Sequence, residues 1–181
     1  MEQEITASIS YEFQTPPDVC GYMVSLIPEG VRSVLEPTPG KGNIVKLLDR
    51  YEVTAADNFF TTDRSVKYDC VVMNPPFSSR FAFGVPENFP KGMRLGYHIL
   101  TTCMGMSDNI IALMPYFTIS DSDVRLRFLK SFGMISVTAL PRKTFEYARI
   151  QTVVLQLRNG YKGPTEFKLF ERLTDNRVRL F

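Results

Sequence analysis

A strand, a glycine-containing turn and a helix follow one another early in the chain, and this succession constrains the fold most. Residues 31–35 are apolar enough for a buried strand, and they run into the turn Glu36-Pro37-Thr38-Pro39-Gly40-Lys41-Gly42. Residues 43–49 resume with helical spacing, which predicts one apolar face made of Ile44, Leu47 and Leu48. Such units build open, mainly parallel sheets whose faces are covered by helices.

The same alternation continues along the chain. The pattern predicts helices over residues 19–26, 93–104 and 122–132, and strands over residues 52–56, 68–73, 110–114, 135–140, 152–157 and 165–169. In the last helix we expect Val124, Phe128 and Leu129 to face inward. The expected fold is therefore α/β, with a mainly parallel sheet, antiparallel C-terminal strands and helices on both faces.

The composition suits a single globular domain. Of the 181 residues, 44% are hydrophobic and 12% are aromatic, which is enough for a substantial core. No repeat, low-complexity tract or Ser/Gly-rich linker marks a domain boundary. We therefore expect residues 1–181 to form one domain that carries the whole function.

Signals for export, membrane insertion and metal binding are missing from the sequence. The N-terminal residues 1–4 are acidic, and the apolar run over residues 109–119 is too short to span a bilayer. We therefore expect a soluble, cytoplasmic protein that does not bind membranes. The three cysteines lack metal-ligand spacing and His98 is the single histidine, so we expect reduced thiols and no metal.

Charge is distributed unevenly along the chain. Residues 1–120 contain 9 Lys and Arg against 13 Asp and Glu, whereas residues 121–181 contain 12 against 6. The basic second segment suits a surface that attracts a phosphate backbone, although a solvated basic surface is the alternative. The candidates for nucleic-acid binding in this segment are Arg142, Lys143 and Arg149.

The glycine turn and two acids suggest a ligand site. Gly40 and Gly42 allow the backbone to approach a ligand closely, but the motifs of dinucleotide and triphosphate sites are incomplete. Glu36, at the mouth of the first strand, suits the ammonium of an amino-acid-like ligand. Asp57 ends the second strand 17 residues after Gly40, near the spacing at which an acid binds ribose hydroxyls. A surface acid and an ordinary turn are the alternatives.

Asn74-Pro75-Pro76-Phe77 ends the third predicted strand abruptly, because neither proline can donate to a strand ladder. We expect the carbonyl of Asn74 or Pro75 to face the crevice. The N6 amine of adenine is a poor nucleophile. An Asn side-chain oxygen and a backbone carbonyl can each accept one of its hydrogens, and so stabilise the positive charge that develops during attack on a methyl sulfonium. We expect Phe77 to stack on a flipped base.

With these segments the sequence resembles the amino-methyltransferases, and specifically the S-adenosylmethionine-dependent DNA adenine-N6 methyltransferases. The resemblance lies in Phe13-Gln14-Thr15-Pro16, in residues 34–42 and in residues 69–77, while residues 145–157 are similar to the late hairpin that borders the target base. It implies a Rossmann-like class I methyltransferase fold, S-adenosylmethionine as cofactor, and catalysis by Asn74, Pro75, Pro76 and Phe77. The implied cofactor-binding residues are Phe13, Thr15, Glu36, Pro37, Gly40, Gly42, Asp57, Asn58 and Phe59.

Two features depart from the family pattern. Only 17 positions separate Asp57 from Asn74, too few for the helix and strand that usually intervene. Asp57 is then expected to meet either ribose or the cofactor adenine, with Phe59 packing on the adenine and Asp63 as a second candidate acid. Nothing after the C-terminal strands is long enough for a separate target-recognition domain, so specificity is expected to be low, to come from the loop over residues 78–92 and the basic tail, or to come from a protein partner.

The loop over residues 78–92 directly follows the catalytic turn. Its Arg80, Phe81 and Lys91 are side chains that can hold phosphates and stack on bases, and a surface lid is the alternative. The leading hypothesis is methylation of adenine N6 in DNA, in a prokaryotic or phage-infected cell. RNA adenine methylation and a non-catalytic nucleic-acid-binding subunit are the alternatives.

Overall fold

A seven-stranded sheet forms the centre of the fold in the computed structural model, which describes residues 14–79, 82, 84–145 and 150–171. The strands are β1 (Ser33–Glu36), β2 (Glu52–Ala55), β3 (Cys70–Met73), β4 (Asn109–Pro115), β5 (Met134–Ala139), β6 (Thr152–Arg158) and β7 (Glu166–Leu169). Their order across the sheet is β2-β1-β3-β4-β6-β5-β7. Among these strands, β6 is antiparallel to its neighbours β4 and β5, and the other pairs are parallel.

Helices flank this sheet on both faces. They are α1 (Pro17–Ser25), α2 (Leu95–Cys103), the short α3 (Phe117–Ser120) and α4 (Asp123–Phe132), with single 3-10 turns at Val45–Leu47, Phe59–Thr61 and Gly92–Arg94. In α1 a proline occupies the first position, where its missing N–H costs no hydrogen bond. Among the described residues, no helix is long and apolar enough to cross a membrane.

Two apolar layers cover the sheet, because successive side chains of a strand point to opposite faces. On one face α1 packs on β1, β3 and β4; this layer includes Val19, Cys20, Met23, Val34, Val72 and Leu113. On the other face α2 and α4 pack on the same sheet; this layer includes Leu95, Ile99, Leu129, Leu35, Val71 and Met73. The expected α/β fold, with a mainly parallel sheet and helices on both faces, is confirmed.

The segment after the glycine turn is less helical than its spacing predicts. Residues 43–49 contain only the 3-10 turn Val45–Leu47, and Leu47 is 42% exposed. Ile44 and Leu48 are buried as predicted, whereas the inward position of Leu47 is wrong. The segment makes a single 3-10 turn and no α-helix, so the shared helical face predicted for Ile44, Leu47 and Leu48 does not form.

Helix α4 also presents apolar side chains to solvent. Leu129 is buried, but Val124 is 70% exposed and Phe128 is 46% exposed, so their predicted inward positions are wrong. The helix is short and contacts the sheet along a narrow strip. Its helical period predicts which residues share a face, but not how wide a part of that face the sheet covers.

The parallel strands carry their carboxyl ends to one edge of the sheet. Leu35 of β1 pairs with Val71 of β3, and Val71 pairs with Ile110 of β4. Glu36 ends β1 and Asn74 follows β3, so both lie at this edge. The open-sheet arrangement therefore places the predicted acid beside the predicted catalytic turn.

Gly133, which ends α4, has a φ of +133° and no room for a side chain. A Cβ there would overlap the carbonyl oxygen of Arg158 and lie 2.8 Å from the backbone nitrogen of Tyr161. We expect Gly133→Ala to lower the free energy of unfolding by about 2 kcal/mol or more, measured by urea denaturation. Gly160→Ala is the control, since Gly160 has a φ of +78° but open space around it; we expect a loss of about 1 kcal/mol. Equal losses in the two variants would contradict the steric argument.

Candidate active site

A cleft opens at the carboxyl edge, between the ends of β1 and β3 and the start of α1. Four of the predicted residues come together in it, namely Thr15, Glu36, Gly40 and Asn74. Its other lining residues are Gln14, Thr38, Pro39, Asn43 and Ile44. The predicted residue Pro37 is buried outside this lining, and Phe13 lies outside the described residues.

Glu36 is a buried acid at the bottom of this cleft, with only 1% of its surface exposed. Its Oε1 accepts hydrogen bonds from the backbone nitrogen of Thr38 at 3.0 Å and from the Thr38 hydroxyl at 3.4 Å. Burial raises the pKa of the Glu36 carboxyl from 4.5 to about 8, and the bonds from Thr38 offset only part of this effect. A buried carboxyl of this kind is matched by a ligand that brings a positive charge.

The glycine turn supports the cleft from the side of β1. Gly40 and Gly42 have φ of +54° and +74°, a conformation that glycine adopts at little cost. Gln14, which the sequence reasoning did not select, packs against this turn. Its Oε1 accepts a hydrogen bond from the backbone nitrogen of Lys41 at 3.1 Å, and a Cβ on Gly40 would lie 3.0 Å from its Nε2.

Asn74 is held from two sides. Its Nδ2 donates to the Thr15 hydroxyl at 2.9 Å, and its backbone carbonyl accepts from the Thr38 hydroxyl at 3.3 Å. Thr38 therefore joins the acid and the catalytic turn, a role that the sequence reasoning missed. Thr38 occupies only one lone pair of the Asn74 carbonyl, so the carbonyls of Asn74 and Pro75 both stay candidates for the backbone acceptor in the crevice.

Phe77 lies inside the apolar layer of α1, with 7% of its surface exposed. Leu140 and Phe145 belong to the same layer. The ring therefore contributes to the core that supports the catalytic turn. Its stacking on a flipped base stays a prediction.

Gly96 is a further residue at the turn that the sequence reasoning missed. It lies near the start of α2, and a Cβ there would be 3.2 Å from the Pro76 carbonyl oxygen and 3.4 Å from the Phe77 Cα. The helix therefore packs directly on the backbone of the catalytic turn. A glycine inside an apolar helical pattern was the available signal, since such glycines often mark close packing.

The residues after β2 lie outside the lining of the cleft. Asp57 is exposed, Asn58 caps the following 3-10 turn by accepting from the Phe60 nitrogen at 2.9 Å, and Phe59 is buried in the layer of α2. Asp63 is exposed, and hydrogen bonds from Ser65 lower its pKa. The contacts of Asp57, Asn58 and Phe59 with a cofactor stay predictions.

Two predicted basic residues, Arg142 and Lys143, are exposed in the turn after β5. Because β5 runs parallel to β3 and β4, this turn lies at the same edge as the cleft. Lys91 is exposed just before the 3-10 turn that leads into α2. The other candidates for nucleic-acid contact, Arg80, Phe81 and Arg149, lie outside the described residues.

The sequence matches no protein-family model and no curated protein, whereas the fold has many solved counterparts. One is a type I restriction-modification system methyltransferase subunit from Streptococcus thermophilus, with a TM-score of 0.67 and 17% identity over 87% of this chain and 47% of the subunit. Another is a Listeria monocytogenes protein assigned as a class I S-adenosylmethionine-dependent methyltransferase, with a TM-score of 0.61 and 15% identity over 87% of this chain and 65% of that protein.

A third counterpart is a Pyrococcus horikoshii protein assigned as an RNA methyltransferase, with a TM-score of 0.54 and 12% identity over 88% of this chain and 99% of that protein. At these identities the comparisons establish the fold. The chain therefore has the Rossmann-like class I methyltransferase fold that the sequence predicts. It spans about half the length of the type I subunit.

Glu36 is expected to make the unliganded protein less stable as pH rises. Its carboxyl ionises near pH 4.5 in the unfolded chain and near pH 8 in the folded protein, so ionisation opposes folding throughout this interval. Relative to Glu36→Gln, we expect the wild-type free energy of unfolding to fall by up to about 1.4 kcal/mol per pH unit between pH 5 and 8. Denaturant unfolding of both proteins across this range measures the difference, and parallel stability curves would contradict it.

Proposed function

We propose that the chain is an S-adenosylmethionine-dependent methyltransferase that modifies the N6 amine of adenine in DNA. The observation that carries the proposal is the position of Asn74. It follows a buried parallel strand, is held by Thr15 and Thr38, and lies beside the buried acid Glu36. An amide oxygen, a backbone carbonyl and an acid-lined cleft are the groups that amine methylation requires.

The cleft suits the amino-acid part of S-adenosylmethionine. Glu36 is a buried carboxyl that lacks a cation among the described residues, and the ammonium of the cofactor would supply one. Gly40 lines the cleft together with Gln14, whose amide packs against it. On this proposal Asp57, exposed after β2, holds the ribose or the adenine from the open side.

The catalytic turn orients and stabilises the amine. When bound, S-adenosylmethionine supplies a methyl group on a positively charged sulfur. Asn74 Oδ1 and the backbone carbonyl of Asn74 or Pro75 accept the two N6 hydrogens, which draws the nitrogen lone pair out of the ring and toward that methyl group. These acceptors also stabilise the positive charge that forms on the nitrogen, and the amine loses its proton readily afterwards.

Nucleic acid is the proposed substrate because exposed cations lie at the same edge of the sheet as the cleft. Arg142 and Lys143 are exposed at the same edge of the sheet as Asn74, where cations can attract a phosphate backbone. The Streptococcus thermophilus counterpart is a subunit of a restriction-modification system. On that similarity we propose DNA as the substrate and a protein partner as the source of sequence specificity.

The direct test combines cofactor binding with methyl transfer. S-adenosylmethionine binding is measured by calorimetry, and transfer of a labelled methyl group is measured on duplex DNA, single-stranded DNA and RNA, followed by mapping of the modified base. N6-methyladenine in DNA supports the proposal. Modification of RNA alone would favour the RNA enzyme, and cofactor binding without transfer to any substrate would favour a non-catalytic subunit.

Asn74→Ala is expected to lower the rate of transfer by roughly 100- to 1000-fold, because it removes an acceptor that acts in the transition state. The dissociation constant of S-adenosylmethionine should change little. The control is Asn159→Ala, since Asn159 also donates through its amide, to Asp108 at 2.9 Å, but lies at the opposite edge of the sheet. Unchanged turnover in Asn74→Ala would refute the catalytic role.

Gly96→Ala tests whether the backbone of the turn must keep its position. The added Cβ presses on Pro76 and Phe77, while alanine raises helix propensity by about 1 kcal/mol, so we expect little net loss of stability but slower transfer. The matched control is Gly21→Ala in α1, where a Cβ meets no atom within 4 Å. Single-turnover rates and thermal unfolding separate the two effects. Equal rates in both variants would show that the contact is not needed.

A further inference from the structure

Thr15 lies where three separate parts of the chain meet. Its hydroxyl accepts a hydrogen bond from Asn74 Nδ2 at 2.9 Å, across 59 residues of sequence. Its backbone carbonyl accepts from Asn43 Nδ2 at 3.1 Å and from the Cys20 thiol at 3.4 Å. Thr15 is only 4% exposed, so α1, the glycine turn and the catalytic turn fix its position together.

We propose that Thr15 is a positioning residue that sets the orientation of the Asn74 amide. An amide group carries a donor end and an acceptor end, and only the acceptor end can bind an amine hydrogen productively. The Thr15 hydroxyl binds the donor end. It thereby keeps Oδ1 as the end that the substrate amine meets. This inference rests on the proposed function and assigns Thr15 a role beyond the cofactor contact that the family resemblance implies.

The geometry favours this direction of the hydrogen bond. The Thr15 hydroxyl oxygen lies 2.9 Å from Asn74 Nδ2, and an NH₂ group can only donate, so the hydroxyl meets it with a lone pair. The neighbouring Cys20 thiol donates to the Thr15 backbone carbonyl at 3.4 Å.

The backbone of the catalytic turn is fixed separately. Thr38 donates to the Asn74 carbonyl at 3.3 Å, so the main chain stays in place if the Thr15 hydroxyl is removed. What changes is the preference of the Asn74 side-chain amide between its two orientations. Loss of Thr15 should therefore affect the chemical step much more than the fold.

The experiment compares Thr15→Val with Thr15→Ser. Valine keeps the shape but has no hydroxyl, whereas serine keeps the hydroxyl. At saturating S-adenosylmethionine we expect Thr15→Val to lower the single-turnover rate of methyl transfer about 10- to 100-fold, the loss typical of a buried group left without its partner. Thr15→Ser should recover most of the wild-type rate.

Thr138→Val is the matched control. Thr138 is also buried, and its hydroxyl lies 2.6 Å from the Tyr22 hydroxyl, but it belongs to β5, three strands away from β3. We expect its rate to equal that of the wild type. A similar loss of rate in Thr138→Val would attribute the effect to general destabilisation and overturn the proposal.

Two further outcomes would also overturn it. Equal rates for Thr15→Val and Thr15→Ser would show that the hydroxyl is not required. Full recovery of the Thr15→Val rate at high S-adenosylmethionine, with weaker cofactor binding, would make Thr15 a cofactor contact only.

In the double variant with Asn74→Ala, we expect Thr15→Val to cause no further loss of rate, because its effect acts through Asn74.

A spectroscopic measurement keeps this inference separate from the proposed function. The side-chain NH₂ resonances of Asn74, assigned by their loss in Asn74→Ala, should shift in Thr15→Val and stay near their wild-type positions in Thr15→Ser. If the wild-type chain transfers methyl groups to no nucleic acid, the proposed function fails while these resonances still decide the role of Thr15. Unchanged resonances in Thr15→Val would overturn the inference.

Discussion

The parallel pairing of β1 with β3 determines where the chemistry of this molecule is placed. At the amino ends of the two strands, the Asp69 carboxylate accepts from the backbone nitrogens of Arg32 and Ser33, each at 2.9 Å. Each strand is four residues long, and they pair at Val34 with Cys70 and at Leu35 with Val71. Neighbouring strands are about 4.8 Å apart, so Glu36, which ends β1, and Asn74, which follows β3, come within reach of one threonine hydroxyl. The hydrogen bonds of Thr38 to both residues follow from this register.

Glu36 differs from the other acids whose pKa the fold shifts. Asp63 and Asp69 are exposed, and backbone and serine donors lower their pKa, so they stabilise turns and strand ends. Glu36 is buried, its pKa is raised, and its described hydrogen bonds come only from Thr38. Burying this carboxyl costs stability in the unliganded protein, and a cationic ligand would offset the cost. A residue that lowers the stability of the unliganded protein in this way is typical of functional sites.

The sequence was sufficient to predict where the strands end, but not which residues contact each other at those ends. Short apolar runs that end in Glu36 and in Asn74-Pro75-Pro76 mark the carboxyl edge because prolines cannot continue a ladder. Helical spacing misplaced Val124, since periodicity does not state how much of a helix face is covered. It misplaced Leu47 because that segment forms a 3-10 turn and no α-helix.

The roles of Thr38 and Gly96 at the site could not be predicted from the sequence, for another reason. Thr38 contacts Asn74 across 36 residues, and Gly96 packs on Pro76 across 20, so each role depends on the assembled tertiary structure. The pairing of Thr15 with Asn74 is of the same kind. Local patterns identified the reacting groups, and packing between distant segments supplied the residues that position them.

Aromatic contacts connect the loop after the catalytic turn with the segment that follows β2, the edge strand of the sheet. Phe89, from the loop after the catalytic turn, packs edge-on against Phe60 at 5.0 Å and against His98 at 4.9 Å between ring centroids, and the Arg64 guanidinium lies 5.4 Å from its ring. Phe60 follows β2, next to the proposed ribose acid. The loop that extends from the catalytic turn is therefore packed on the segment proposed to hold the cofactor.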